Sequence, residues 1–194
     1  MTHATTRIIR EEHAALSAVL RSISLLLGQH RRKGTLPDFA VLRAMLFYVD
    51  EFPEKRHHRK ESDVLFPKLR ARAPLSRELL DHLDADHALG AQNIRDLEHE
   101  LLGFEMMGEP RREAFEHAAE RYVSFYMAHM AMEEQQILPL AEKHLTEQDW
   151  SDLDEAFGAN RDPLTGHEPE ADYRALFTRL VNTVPAPIGL GAAN

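Results

Sequence analysis

The spacing of apolar residues leaves this chain few choices of fold. They recur at intervals of three and four almost throughout, as in the stripe formed near the N-terminus by Ile9, Leu16, Leu20, Ile23 and Leu27. Such intervals are typical of an amphipathic α-helix, whereas a half-buried strand alternates with period two, and no stretch of this chain does so convincingly. We therefore expect an all-α protein.

Four long helices are predicted from this pattern. They cover residues 6–30, 37–70, 76–107 and 110–144. Pro37 suits a first helical turn and Ser76 suits an N-cap, whereas Pro53 lies inside the second helix, where its missing hydrogen bond predicts a kink. Because the connections are short, consecutive helices should be antiparallel, and the prediction is an up-down four-helix bundle over residues 6–145.

Residues 146–194 differ in character from the bundle. Thr146 is placed to cap a short helix, residues 158–169 are polar and rich in turn formers, and residues 171–184 are again helical in pattern. The last ten residues show no periodicity. Because this segment is too small for a core of its own, we expect a helical extension that packs on the bundle or on a neighbouring subunit, which would make an oligomer.

Composition excludes several classes of function. The 194 residues include no cysteine, which rules out disulfides, thiolate metal sites and thiol catalysis. The formal net charge of −9 argues against a nucleic-acid surface, since such a surface needs a basic face. No apolar run approaches the length of a membrane span, and the first residues do not resemble a signal peptide. A cytoplasmic location without membrane contact is therefore expected.

An internal repeat organises the 12 histidines. The motif His57-x-x-x-Glu61 of the second helix recurs in the fourth as His129-x-x-x-Glu133, 72 residues later. In both copies two apolar residues and a proline follow, which predicts that the helix stops there. The chain is thus interpreted as two halves that repeat the same sequence pattern.

The first and third helices each add one early histidine that follows an acidic residue. These pairs are Glu12-His13 and Asp86-His87, 74 residues apart. Positions i and i+4 share one helix face, so the two motifs and the two single histidines should bring four imidazoles and two carboxylates to the bundle axis. The candidate metal ligands are therefore His13, His57, Glu61, His87, His129 and Glu133.

A pair of metal ions explains why such a cluster would be buried. Two unpaired carboxylates inside a bundle are very costly, and bound cations remove that cost. Nitrogen and oxygen ligands without thiolates suit iron, manganese or, less selectively, zinc. Two histidines and two bridging glutamates give each ion four protein ligands. A solvent-derived oxo or hydroxo bridge makes five, which leaves one position for O2, H2O2, NO or water.

With the pattern H…HxxxE…H…HxxxE, the sequence resembles the hemerythrin-like (HHE cation-binding) family over roughly residues 8–144. The resemblance implies an antiparallel four-helix bundle that holds a non-haem diiron centre, with two iron ions bridged by the two glutamates. The segment after the bundle is similar to that of bacterial members with a helical C-terminal extension.

The sequence departs from the oxygen carriers of this family at one ligand. Those proteins have a fifth histidine one turn from the ligand of helix three, where this chain has Leu83 and Ala91. His58 is a candidate fifth ligand, although it lies about 100° around the helix from His57; otherwise it belongs to the charged run 54–61. The departure points away from bulk oxygen carriage and toward sensing, peroxide or NO chemistry, or iron handling.

Several polar residues near the motifs have two interpretations. Tyr122 and Tyr126 share the stripe of His129 and either hydrogen-bond to the centre or pack in the core. Asp84 and Asp86 are candidates for orienting His87. Glu134 is expected beside the centre or in solvent, without binding the metal. The histidines expected at the surface are His3, His30, His82, His99, His117, His144 and His167.

Three classes of function follow from the sequence. The first is a diiron protein that binds or reacts with a small oxidant, with peroxide or NO reactivity as its enzymatic form. The second is a ferritin-like ferroxidase or oxygenase, which needs Glu-x-x-His on two helices; the chain has it once, as Glu54-x-x-His57. The third is a metal that only staples a helical interaction module.

Overall fold

The structure is a computed structural model and describes residues 3–183. Within this range the chain forms six α-helices and no strand, so the all-α prediction is confirmed. The helices are α1 (Ala4–Lys33), α2 (39–72), α3 (Arg77–Met107), α4 (109–144), α5 (Glu147–Gly158) and α6 (Arg174–Thr183). The first four correspond to the four predicted bundle helices.

Ion pairs between helix ends show that neighbouring long helices run in opposite directions. Arg31, near the end of α1, pairs with Glu116, near the start of α4. Arg43, near the start of α2, pairs with Glu105, near the end of α3. The predicted antiparallel arrangement is therefore present, and it brings the early histidines of α1 and α3 level with the late motifs of α2 and α4.

Two apolar clusters fill the bundle, one on each side of a polar layer. The larger contains buried side chains such as Leu20, Leu42, Met45 and Phe104. The smaller contains buried side chains from α1 to α5, and its largest members are Phe66, Trp150 and Phe157. The candidate ligands belong to neither cluster, so they form a buried polar layer between two apolar regions.

The prolines of the repeat widen the helices and do not stop them. The N–H of Phe66 donates to the carbonyl of Glu61, and the N–H of Leu138 donates to that of Glu133, both five residues back, which is the π-helical pattern. The next residue in each copy is proline, whose ring crowds the carbonyl four residues back and cannot donate to it. Stops at the prolines themselves were therefore a wrong prediction. The helices end at residues 72 and 144, within two residues of the ends predicted from apolar spacing.

The kink predicted at Pro53 is likewise present as a π-helical segment. A π-helical segment, Asp50–His57, surrounds this proline, and the N–H of His58 donates to the carbonyl of Pro53, again five residues back. A wider turn places successive side chains at a smaller angle than the roughly 100° of an α-helix. Both His57 and His58 are consequently buried.

Two predicted helix starts differ in detail. The second helix begins at Phe39, and Asp38 caps it by accepting hydrogen bonds from the N–H groups of Ala40 and Val41, so Pro37 lies before the cap. Ser76 does precede α3, but its hydroxyl donates to the carbonyl of the preceding turn and caps no N–H group. The short side chain of serine permits either bond.

The described part of the extension packs on the bundle. Thr146 caps α5 as predicted, in a capping box with Asp149. Asp154 of α5 accepts hydrogen bonds from the backbone N–H and the hydroxyl of Thr5 at 2.7 and 2.6 Å. After Gly158 the predicted polar link contains a single 3₁₀ turn, and residues 171–183 are helical. Residue 184 and the last ten residues lie outside the described range.

Asp162 joins the extension to the core and makes stability depend on pH. It accepts a hydrogen bond from the Tyr48 hydroxyl at 2.6 Å, and burial raises the pKa of Asp162 from 3.8 to about 6. A raised folded-state pKa means that the stabilising contribution is complete below pH 4 and is lost as the pH rises through 6.

We therefore expect Asp162→Asn to flatten the pH dependence of stability by about 3 kcal/mol between pH 4 and 7, since asparagine keeps the hydrogen bonds without titrating. Urea unfolding at several pH values measures this difference from the unmodified chain. Asp172→Asn, at an exposed position of the same extension, is the matched control. Parallel stability curves for Asp162→Asn and the unmodified chain would contradict the prediction.

None of the helices within residues 3–183 combines the length and the apolar character needed to cross a membrane.

Candidate metal centre

The six predicted ligands come together in the polar layer of the bundle. The residues, each buried, are His13 on α1, His57 and Glu61 on α2, His87 on α3, and His129 and Glu133 on α4. The four imidazoles form two pairs with facing Nε2 atoms. These atoms are 3.2 Å apart for His13 and His57, and 3.1 Å apart for His87 and His129.

Each carboxylate reaches both imidazole pairs. The Oε1 atom of Glu61 lies 3.2 Å from Nε2 of His57, and its Oε2 atom lies 3.5 Å from Nε2 of His87. Glu133 repeats this arrangement, with Oε1 3.3 Å from Nε2 of His129 and Oε2 3.2 Å from Nε2 of His13. One oxygen of each glutamate therefore belongs to each pair.

Two groups of four side chains have ligand atoms within 4.8 Å of one another. The first group is His13, His57, Glu61 and Glu133, and the second is His58, Glu61, His87 and His129. The groups share Glu61, and the second contains a histidine that was not among the six. Two neighbouring positions for cations are thus outlined by nitrogen and oxygen atoms alone.

The outer nitrogen of each imidazole faces an acceptor. Nδ1 of His57 lies 2.6 Å from Glu12, and Nδ1 of His13 lies 3.0 Å from Glu134. In the other half, Nδ1 of His129 lies 3.3 Å from Asp86.

His87 completes this set through a serine. Its Nδ1 atom lies 2.9 Å from the Ser62 hydroxyl, which donates its own proton to Asp84 at 2.6 Å. With an acceptor outside each ring, the proton of neutral imidazole belongs on Nδ1. All four Nε2 lone pairs then point inward, where they can bind a cation but cannot donate to the carboxylates.

Unbonded oxygens in the cluster fit the same interpretation. Among the described residues, Glu61 Oε2 and both carboxylate oxygens of Glu133 are buried without a hydrogen bond. Buried carboxylate oxygens without a partner are very costly, so they indicate a place for a positive ion. Histidine nitrogen and glutamate oxygen suit iron, manganese or zinc.

In the metal-free cluster, protons on the imidazoles would balance the charge of the carboxylates. Burial lowers the pKa of His57, but nearby carboxylates, Glu61 above all, raise it to well above its ordinary value. Burial likewise lowers the pKa of His87, but Glu133 and Glu61 raise it to about 9. Burial raises the pKa of Glu133, but the neighbouring imidazoles, His129 first, bring it well below its ordinary value. A metal ion must therefore displace protons from this cluster as it binds.

His58 is held by a second buried carboxylate. Its Nδ1 atom lies 3.2 Å from Glu54 Oε2, and its ring stacks on those of His87 and Tyr126, with centroids 4.5 and 5.2 Å away. The hydroxyls of Tyr122 and Tyr126 both donate to the other oxygen of Glu54. The two tyrosines thus act on the centre through Glu54 and His58, without touching the six predicted ligands by their hydroxyls.

A glycine makes room for this arrangement. A Cβ atom on Gly90 of α3 would lie 1.7 Å from the Tyr126 hydroxyl oxygen and 3.1 Å from Glu54 Oε1. No other residue fits at position 90 without displacing the tyrosine from its carboxylate. Gly90 is therefore part of the support of His58, although it makes no bond to it.

Comparison with protein-family models gives a match over the part of the chain that carries the cluster. The model of the hemerythrin HHE cation-binding domain matches residues 4–141. The chain belongs to this family. Comparisons with curated proteins and with solved structures gave no match.

Membership of the hemerythrin HHE family implies metal binding, and the buried histidines and glutamates fit a metal site. The match covers all four helices that carry the cluster. It ends before α5, so the extension, including α5 and α6, lies outside the hemerythrin HHE domain.

The hemerythrin HHE cluster differs from the sequence prediction in its outer contacts. Asp86 was expected to orient His87 but bonds to His129, and Asp84 reaches His87 only through Ser62. Glu134 lies beside the cluster on His13, as expected. Glu12 and Asp86 each accept a hydrogen bond from a histidine on the facing helix, His57 and His129 respectively. The rotation of each helix about its own axis turns these acids toward the neighbouring helix and away from the histidine that follows them in sequence.

The repeat contained a signal for two of the missed contacts. Ser62 and Glu134 follow the motif glutamates, lie 72 residues apart, and accept from His87 and His13 respectively. Extending the comparison of the two halves by one residue would have found this pair. Glu54, by contrast, was noted only as a ferritin-like feature, although it lies four residues before His58, the same i, i+4 spacing as in the two motifs.

The remaining histidines belong to neither ligand group, although Nε2 of His82 lies 3.7 Å from Asp86, the partner of His129. Those at positions 82, 99, 117 and 167 are exposed as predicted, and those at 30 and 144 are half-buried. His3 is a correction, since its ring stacks on Trp150 of α5 with centroids 4.1 Å apart. Of the two positions one turn from His87, Leu83 is a buried member of the smaller apolar cluster and Ala91 is half-buried.

Proposed function

We propose that this hemerythrin HHE domain holds a non-haem diiron centre that binds or reacts with a small oxidant, O2, H2O2 or NO, in sensing, detoxification or iron handling. The observation that carries the proposal is the pair of overlapping ligand groups that share a buried carboxylate. A single ion would leave one group of buried nitrogen and oxygen atoms without a cation. Two iron ions, when bound, supply electrons to such an oxidant.

The ligands assigned to one iron are His13 and His57, and those assigned to the other are His87 and His129. Glu61 and Glu133 are assigned as bridges between the two irons. The support for this is that each glutamate places one oxygen near the first imidazole pair and its other oxygen near the second. The residues around them hold the imidazoles in one tautomer and exclude bulk water, since all six ligands are buried.

His58 is proposed as a third imidazole for the ion of His87 and His129. Glu54 accepts from its Nδ1 atom, so its Nε2 atom is left for the metal, and it belongs to the same group of ligand atoms as that pair. His58 would then supply the fifth histidine that this chain lacks at positions 83 and 91.

The same contacts weaken the ferritin-like alternative. That class needs the glutamate of Glu-x-x-His as a metal ligand. Here the only such carboxylate in the described bundle, Glu54, accepts hydrogen bonds from two tyrosine hydroxyls and faces His58 with its second oxygen. Glu54 is therefore assigned to support and not to the metal.

Metal content and an ultraviolet–visible spectrum of the purified protein test the proposal. About two irons per chain with ferric charge-transfer bands, changed by peroxide or NO, are expected. Melting curves with and without metal separate this function from a structural staple. A metal-dependent melt with a spectrum inert to both reagents would favour the staple. A chain without iron after reconstitution would contradict metal binding itself.

His58→Ala should leave two irons bound but alter the optical spectrum, since the bridging ligands remain while one imidazole is lost. Iron content and the visible spectrum of the same sample measure both effects. His99→Ala, at an exposed histidine of α3 far from the motif residues, is the control and should match the unmodified chain. An unchanged spectrum in His58→Ala would remove His58 from the ligand set.

A further inference from the structure

A small cavity beside two of the proposed ligands is closed by the extension. It lies against His13 and His57 and holds about 10 Å³, roughly one water-sized sphere. Residues 160–162, which follow α5, form part of its wall. This segment lies outside the part of the chain that matches the hemerythrin HHE domain. A molecule that approaches the cluster from this side must pass the segment.

Asn160 is the residue of this wall that is tied to the centre. Its side-chain N–H donates to Glu12 Oε2 at 3.1 Å, and its carbonyl accepts from the ammonium of Lys60. The same oxygen of Glu12 accepts from Nδ1 of His57 at 2.6 Å. Asn160 is only 5% exposed, so these bonds lie inside the protein.

The chemistry of the amide explains why asparagine fits here. The position lies between an ammonium group and a carboxylate, so it needs an acceptor on one side and a donor on the other. An aspartate would face the Glu12 carboxylate with a second negative charge, and an alanine would leave Glu12 with fewer partners and widen the cavity.

Neighbouring contacts hold the segment in place. The Asp162 carboxylate accepts from the Tyr48 hydroxyl of α2, and the ring of Phe157 at the end of α5 meets that of His57 edge-on, with centroids 6.1 Å apart. The extension therefore touches His57 both directly and through Glu12.

We propose that Asn160 is a positioning residue of the centre and the gate of this cavity. It holds Glu12 on His57, and it restricts the approach of small ligands to His13 and His57 through this cavity. The identity of the ligand rests on the proposed diiron function, whereas the hold on Glu12 and His57 does not.

The gate is tested with azide as the probe, on the full iron-loaded chain. With both chains loaded to equal iron content, Asn160→Ala should speed both association and dissociation of azide about tenfold while the Kd for azide changes little, since a gate changes rates and not affinity. Asn182→Ala, at an exposed position of α6, is the matched control. Unchanged azide rates in iron-loaded Asn160→Ala would overturn the gate.

The positioning role has a test that needs no metal. In the metal-free chain, Asn160→Ala and Asn160→Leu should both speed exchange of the His57 Nδ1 proton with water about tenfold, as seen by imidazole NMR. Asn160→Leu keeps the volume, so its azide rates should stay slow. Unchanged proton exchange would overturn the positioning role. A chain that binds no iron would contradict the diiron proposal, and the proton exchange would still decide the role of Asn160.

Discussion

Glu133→Ala should remove most of the metal that the chain binds. Glu133 is fully buried, and its two oxygens reach the imidazoles of different pairs, so its loss takes one ligand from both ions. It also leaves Glu61 as the one carboxylate of the six predicted ligands to face the inner nitrogens of the four imidazoles. Since loss of an outer partner alone costs about 10–100-fold in affinity, loss of a bridging ligand should cost more.

Metal analysis after iron reconstitution measures this effect. We expect the content to fall from about two ions per chain to well under one, and His57→Ala to behave in the same way. Glu134→Ala is a close control. Glu134 is the next residue in the chain but contacts the outer nitrogen of His13, so this variant should keep both ions bound. His30→Ala, far from the cluster, should change nothing. Full metal content in both Glu133→Ala and His57→Ala would reject the site.

Gly90→Ala should destabilise the protein, against the usual trend for helices. Alanine normally stabilises a helix interior by about 1 kcal/mol relative to glycine. Here the new methyl group would lie 1.7 Å from the hydroxyl oxygen of Tyr126 and 2.7 Å from the ring carbon that bears it. The tyrosine must move away from Glu54, and overpacking of this kind costs about 1–3 kcal/mol.

Urea denaturation of a small set of variants tests the cause. Gly28→Ala in α1 is the matched control, since its nearest neighbour is the end of the flexible Arg32 side chain at 3.4 Å, and it should stabilise. Tyr126→Phe in the Gly90→Ala background should restore part of the loss, because the closest atom is removed. Equal stabilisation by Gly90→Ala and Gly28→Ala would contradict the packing argument.

The fold was predictable because helical periodicity and short connections act locally. The six cluster residues were predictable for a related reason: the i, i+4 spacing fixes the relative position of two side chains on one helix, and the repeat supplies the second helix. Spacing of this kind does not need knowledge of how the helices are rotated against each other.

Contacts that depend on helix rotation were not predictable in this way. Asp86 precedes His87 in sequence, yet it bonds to His129 on the facing helix. His58 was placed about 100° from the metal-facing stripe, because regular α-helical geometry was assumed across Pro53. The π-helical bonds there depend on the carbonyl that the proline leaves unpaired, which apolar periodicity does not reveal.

The π segment around Pro53 makes the two proposed ion positions unequal in the imidazoles that surround them. The counterpart of Pro53 in the second half is Phe125, where α4 is a regular helix, and the counterpart of His58 is Met130. Among residues 3–183, a third imidazole is therefore within reach of just one of the two proposed positions. Ligand identity sets the reduction potential of an iron ion, so two irons held here would differ in potential. When the pair holds a single added electron, that electron should be localised on one ion, giving a trapped mixed-valence state.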